Sequence, residues 1–179
     1  MAVLPILIAP HPTLKAKAKP VKDVPDELRA LLDDMLETMY DAPGIGLAAN
    51  QIGSLHRVLV MDCGSRDDEE TPRPIKIINP EITGVSEELS SYEEGCLSIP
   101  EQFADVERPA VVRVKYLDEN GQKQERLFDG LEATCVQHEI DHLDGVRFVD
   151  HLSNLKRNML MKKLKKYLKD REEDAADVG

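Results

Sequence analysis

His138-Glu139-Ile140-Asp141-His142, with Gly145 shortly after, sets two histidines four residues apart. On an α-helix that spacing puts both imidazoles on one face, one turn apart, where they can reach a single metal ion. Glu139 is rotated about a quarter-turn from His138. It can therefore stand beside the ion without ligating it, close enough to take a proton from an attacking water. Leu131, Cys135, His138 and His142 share one stripe, which turns the ion toward the domain interior. Asp129 as N-cap and Gly145 as terminator bound this helix at 131–143.

Working outward, the segment 25–40 predicts an earlier helix, because Leu28, Leu31, Leu32, Met35 and Met39 recur at three- and four-residue steps. Asp26 and Glu27 suit its positive N-terminus, and Asp41, Pro43 and Gly44 stop it. A third, amphipathic helix is expected over 154–169, carried by Leu155, Met159, Leu160, Leu164 and Leu168. Between these lie strand patterns. The segment 57–62 reads as a buried strand, 74–94 as short antiparallel strands, and 110–117 as a half-buried strand of alternating Val112, Val114 and Tyr116. Asn120-Gly121 signals a two-residue hairpin into 122–128. The apolar start, MAVLPILIAP, lacks a basic leader region and is expected to be a first strand. The charged stretch 65–74 is expected to be a surface loop, and 171–179 a disordered acidic tail. The fold class is α+β: antiparallel strands packed around a central metal-binding helix, with an N-terminal and a C-terminal helix, in one catalytic domain over 1–170.

Composition bounds the function. The chain has 179 residues and a net charge of −11, which argues against broad nucleic-acid binding. No apolar run is long enough for a bilayer. Three cysteines at no framework spacing point to a reducing compartment, with the cytoplasm as the default. The charge is uneven, however. Lys156, Arg157, Lys162, Lys163, Lys165, Lys166 and Lys169 crowd the last helix.

A third metal ligand is needed. His151 lies downstream but follows Gly145 with little chain to fold back, whereas Cys96 sits upstream in Glu94-Gly95-Cys96-Leu97-Ser98. A thiolate flanked by glycine and polar residues suits a ligand. Cys63 and Cys135 read instead as buried core cysteines.

The sequence resembles the bacterial-type peptide deformylases, over nearly its whole length. Three motifs of that family occur in order: Gly44-Ile45-Gly46-Leu47-Ala48-Ala49-Asn50-Gln51, then Glu94-Gly95-Cys96-Leu97-Ser98, then His138-Glu139-Ile140-Asp141-His142. The resemblance implies hydrolysis of the formyl group from the formyl-methionine of nascent peptides, with formate released. It implies Cys96, His138 and His142 as ligands of one divalent ion, Fe²⁺ ahead of Zn²⁺, and Glu139 as proton carrier. It further implies that the Gln51 side chain and the Leu97 N–H stabilise the oxyanion. Gly44, Ile45, Gly46 and Gly95 would supply substrate contacts, and Ile45, Tyr92, Leu131, Cys135 and His138 would line the methionine pocket. The basic C-terminal helix would dock on the ribosome. One departure stands out: where many members carry Arg after Pro-Glu-Gln, this chain has Phe103. The alternatives are a zincin-like metallopeptidase, disfavoured by the upstream cysteine, and a non-catalytic ribosome-associated factor, which would have lost a ligand or Glu139.

Overall fold

The computed structural model describes residues 2–64 and 71–178. Among the described residues, seven strands fall into two antiparallel sheets. The larger has the order β1 (Gly46–Ala48), β2 (Val58–Met61), β3 (Ile75–Val85), β6 (Val112–Leu117), β7 (Lys123–Phe128). The smaller pairs β4 (Leu89–Cys96) with β5 (Ile99–Pro109).

The strand at 58–61 is apolar throughout because both faces of its sheet are covered. Val58 and Val60 pack with Leu28, Leu32, Met35 and Met39 of α1 (Asp26–Asp41). Leu59 and Met61 pack with Ala133, Val136, Ile140 and Leu143 of α2 (Gly130–Leu143). The two-residue period of a strand thus sends alternate residues to opposite helices. Ten of the residues of α2 are buried, so it is enclosed rather than laid on a surface. Phe148, Val149 and Leu164 pack with Ile99 and Val106 of β5, which seats α3 (Asn154–Val178) against the small sheet. The central helix expected from the histidine motif is therefore flanked by the two sheets.

Several expectations change. Residues 2–8 form no strand: their amides bond singly, Leu4 N–H to Thr38 Oγ1, Leu7 N–H to the Gln51 carbonyl. Pro5 lacks the donor a ladder needs at that point. The strand β5 carries no expectation from sequence, since its inward residues include Gln102 and Arg108 and break the apolar alternation. The turn at Asn120-Gly121 is wider than a two-residue hairpin. Leu117 pairs with Lys123, and the Asp118 carboxylate accepts from the amides of Asn120 and Gln122, closing a longer loop. Asp129 precedes α2, but its side chain makes no capping bond. The loop expected at 65–74 lies outside the described residues as far as 70.

The C-terminal helix also departs from its expected stripe. Leu160, Leu164 and Leu168 face the domain with Met161 and Tyr167. Leu155 and Met159 do not: they are 79% and 49% exposed. Replacing Leu164 with Ala should cost about 2–5 kcal/mol in denaturant unfolding, as deletion of a buried aliphatic side chain does. Replacing Leu155 should change stability by less than about 0.5 kcal/mol. Equal losses at both positions would show that the helix presents a different face.

Candidate metal centre

The local geometry of α2 does what the spacing demands. The ring centroids of His138 and His142 stand 4.9 Å apart, edge to face. Cys96 arrives from the end of β4, its Sγ 3.2 Å from His142 Nε2. One ligating atom from each of Cys96, His138 and His142 lies within 4.8 Å of the others. His151, the other histidine weighed as a ligand, points elsewhere: its Nε2 is 2.7 Å from the Asp141 carboxylate.

Ring orientation is fixed by a chain of buried charges. The Glu94 carboxylate accepts from His138 Nδ1 at 2.9 Å, leaving Nε2 to face the cluster. Arg108 grips Glu94 through Nε at 2.7 Å and Nη2 at 3.0 Å, and reaches Asp141 through Nη1 at 2.8 Å. The Asn50 side-chain amide donates to the His142 carbonyl, anchoring the helix at that turn. Phe148 stacks over His138.

These contacts set the charge states. Burial opposes ionisation of Glu94, yet the bonds from His138 and Arg108 outweigh it and hold its carboxyl below the usual range. Burial likewise raises the Cys96 thiol, but the adjoining His142 and His138 outweigh it and draw the thiol well down. Glu139 moves the other way, its carboxyl raised chiefly by burial. A thiolate beside two imidazoles, with the rings already oriented, is a donor set that fits Fe²⁺ or Zn²⁺.

The remaining residues named from the sequence gather around a cavity of about 570 Å³. Its lining includes Gly44, Ile45, Gly46, Gln51, Tyr92, Gly95, Cys96, Leu97, Leu131, Cys135, His138 and Glu139. Gly46 is a close-approach position, since a Cβ there would stand 2.9 Å from both Cys135 Sγ and the Glu139 side chain. The Gln51 side chain is locked by its Oε1, which accepts from Ala48 N–H at 2.9 Å. Its Nε2 is thereby aimed at Ser98 Oγ, 3.1 Å away, and at Cys96 Sγ, 3.5 Å away. Sequence reasoning did not single out Arg108, Asp141, Asn50, Ser98 or Phe148. Arg108 carried no local signal, since the strand that holds it is not legible in the sequence and nothing in its neighbours names its partners.

Comparison with known proteins finds relatives that match nearly the whole chain. Residues 3–158 match the family model described as polypeptide deformylase. A peptide deformylase of Mesorhizobium japonicum is 59% identical over 171 residues, covering 96% of this chain and 96% of the relative. One from Rhizorhabdus wittichii is 58% identical, covering 93% of this chain and 96% of the relative. Among solved structures, a peptide deformylase from Legionella pneumophila superposes with a TM-score of 0.88 at 43% identity, covering 96% of this chain and 98% of that one. Another, from Ehrlichia chaffeensis in complex with actinonin, gives 0.88 at 41% identity, covering 93% and 98%.

The three cysteines separate by environment. Cys96→Ser should lose the metal or exchange its identity, because a hydroxyl is a poor substitute for a thiolate. Cys63→Ser and Cys135→Ser should keep it. Metal content per chain after anaerobic purification measures this, and equal loss from Cys63→Ser would overturn the ligand set.

Proposed function

The chain belongs to the polypeptide deformylase family, and from that premise we propose how its residues divide the work. The protein is a metal-dependent hydrolase that removes the formyl group from the N-terminal formyl-methionine of new polypeptides, releasing formate. The ligands in this reading are Cys96, His138 and His142. The observation that carries it is the convergence of their donor atoms within 4.8 Å, beside a Glu139 whose Oε2 has no hydrogen-bond partner among the described residues.

A divalent ion held there supplies Lewis acidity, which lowers the pKa of water toward neutrality. The proton work falls to Glu139. Burial lifts its carboxyl above the usual range, which suits a group that must accept a proton and then give it up near neutral pH. It takes a proton from the attacking water and delivers it to the departing amine nitrogen. As the formyl C–N bond breaks, that nitrogen needs the proton to leave as an amine. Charge on the former carbonyl oxygen is met by the Gln51 amide and the Leu97 N–H. Gln51 needs little reorganisation for this, because Ala48 already fixes its orientation. Gly44, Ile45, Gly46 and Gly95 offer main-chain contacts to an extended peptide. Tyr92, Leu131 and Cys135, with Ile45, enclose the methionine side chain.

The ion is Fe²⁺ rather than Zn²⁺ in this reading, as the family resemblance favours, and activity is then oxygen-sensitive. Three free cysteines support a reducing compartment, and so the cytoplasm. No helix among the described residues is long and apolar enough to cross a membrane. The basic helix α3 would dock on the ribosome. Lys156, Lys162, Lys163, Lys165, Lys166 and Lys169 are all exposed, with Leu155 and Met159 exposed beside them.

Glu139→Ala should retain the metal and lose about 10²–10⁴-fold in turnover of a formyl-Met peptide, the usual contribution of a positioned acid–base group. Loss of the metal, or near-normal turnover, would remove Glu139 from the role. For docking, ribosome cosedimentation of the intact chain should fall steeply as salt rises. Changing Lys162, Lys163, Lys165 and Lys166 to Glu should abolish it while hydrolysis of a short peptide is unaffected. Equal pelleting of both proteins would end the docking proposal and leave the enzyme untouched.

A further inference from the structure

The two donors that meet the developing charge in the proposed reaction come from different parts of the fold. The Gln51 amide stands on a single helical turn, Ala49–Ile52, that follows β1 of the large sheet. The Leu97 N–H stands at the tip of the small sheet, where Cys96 pairs with Ile99 and the turn between β4 and β5 consists of Leu97 and Ser98. Side chains supply one link between these parts. Gln51 Nε2 reaches Ser98 Oγ at 3.1 Å and Cys96 Sγ at 3.5 Å. A side-chain amide has two N–H hydrogens, so meeting the oxyanion takes one of them away from this link.

A main-chain link escapes that competition. Leu7 N–H donates to the Gln51 carbonyl at 2.7 Å, and Ala9 N–H donates to the Ser98 carbonyl at 2.9 Å. Two residues of chain span at most about 7 Å, so both carbonyls are tied to anchors that cannot draw further apart. Gln51 and Ser98 are buried, which keeps water from competing for these bonds. The segment is itself held on both sides. Leu7 and Ala9 pack with Ile99, Phe148 and Val149 beneath α3. Ile6 packs, as Leu97 does, against the α1 cluster. With the Leu7 and Ala9 side chains in that apolar cluster, their effect on the site passes through their amides.

We propose that residues 6–9 form a strap that fixes the spacing of the two oxyanion donors, with Leu7 and Ala9 as positioning residues acting through their main-chain N–H groups. This rests on the deformylase reading and adds to it the element that keeps Gln51 and Leu97 in place as charge develops. Loosening the strap misplaces donors whose bonds strengthen in the transition state, so kcat falls while KM changes little.

The test removes each amide in turn from the metal-loaded full chain. Proline has no N–H, so Leu7→Pro and Ala9→Pro each delete one bond, whereas Leu7→Met and Ala9→Gly keep it. Each proline variant should lose about ten- to a hundredfold in kcat on a formyl-Met peptide, since a misplacement near 1 Å can cost about 10²-fold. KM and metal per chain should hold, and Leu7→Met and Ala9→Gly should stay close to the parent. A second set of measurements repeats the variants on Gln51→Ala protein. There Leu7→Pro should cost little more, because the donor it positions is gone, whereas Ala9→Pro should keep its loss through Leu97. A strap that served stability alone would give the same loss in both backgrounds. Where a proline variant fails to fold, an ester made with the α-hydroxy acid counterpart of Leu7 or Ala9 removes the same N–H and keeps the side chain. Unchanged kcat once the amides are removed, or a Leu7 loss of equal size with and without Gln51, would overturn the strap while leaving the deformylase reading intact. Failure of the parent chain to deformylate the peptide would overturn both.

Discussion

The buried guanidinium of Arg108 ties its own strand β5 both to the carboxylate of the paired strand β4 and to the helix α2 that carries the histidines. It is 4% exposed and lies between Glu94 on β4 and Asp141 on α2. Taking such charges out of water costs several kcal/mol per ion, which only near-complete pairing offsets. Here the pairing is close to complete. Both Glu94 oxygens accept from Arg108, and one also accepts from His138. Asp141 takes the remaining guanidinium edge and His151 besides. The small sheet cannot slide along α2 without exposing an unpaired charge. Because Cys96 rides on that sheet and the histidines on that helix, the same restraint sets how the three donor atoms meet. Fold and site share one determinant, and it lies a shell outside the donors themselves.

That determinant also marks where sequence reading stops. Periodicity exposed the helices: the stripe of Leu28, Leu32, Met35 and Met39 and the pairing of His138 with His142 are local, separated by three or four residues. Cys96 was within reach because its neighbours resemble a known motif. Arg108 lies 14 residues from Glu94 and 33 from Asp141, and neither separation has a local signature. The strand β5 stayed hidden for the same reason, since its inward face carries polar groups whose partners come from elsewhere. The N-terminal segment failed differently. Its apolar residues do pack, Ile6 with the α1 cluster and Leu7 with the α3 cluster, but they do so without a ladder. Apolar pattern reports burial, and only a repeated hydrogen-bonding partner makes a strand of it.

Edge strands are usually protected against pairing with other chains. This fold instead sets two of them across a cleft with Cys96, His138 and His142 at one end. Residues are small where a peptide must approach: Gly44 and Gly46 on one side, Gly95 on the other. In the proposed reading an extended substrate completes hydrogen bonding on both sides, so affinity comes from its main chain and suits many sequences. An enzyme that must process every new chain needs that tolerance. In the proposed reading, discrimination rests chiefly on the pocket that takes the methionine side chain.

The net charge of −11 is a poor guide to the face that α3 presents to solvent. The basic residues of α3 are followed on the same helix by Glu172, Glu173 and Asp174, all exposed. At about 1.5 Å per residue, Lys162 lies roughly 15 Å from Glu172 along the helix axis. That is near twice the screening length of about 8 Å at physiological ionic strength. Lys169 is close enough to feel the acids, whereas Lys162 and Lys163 are not. The first half of the helix therefore keeps a positive surface of its own, with Leu155 and Met159 exposed at its start. A polyanion approaching from afar meets an acidic protein, but one within a few ångströms of this face meets lysines whose charge the distant acids do not cancel. The acidic total argues against wrapping by nucleic acid and leaves a contact confined to this face electrostatically allowed.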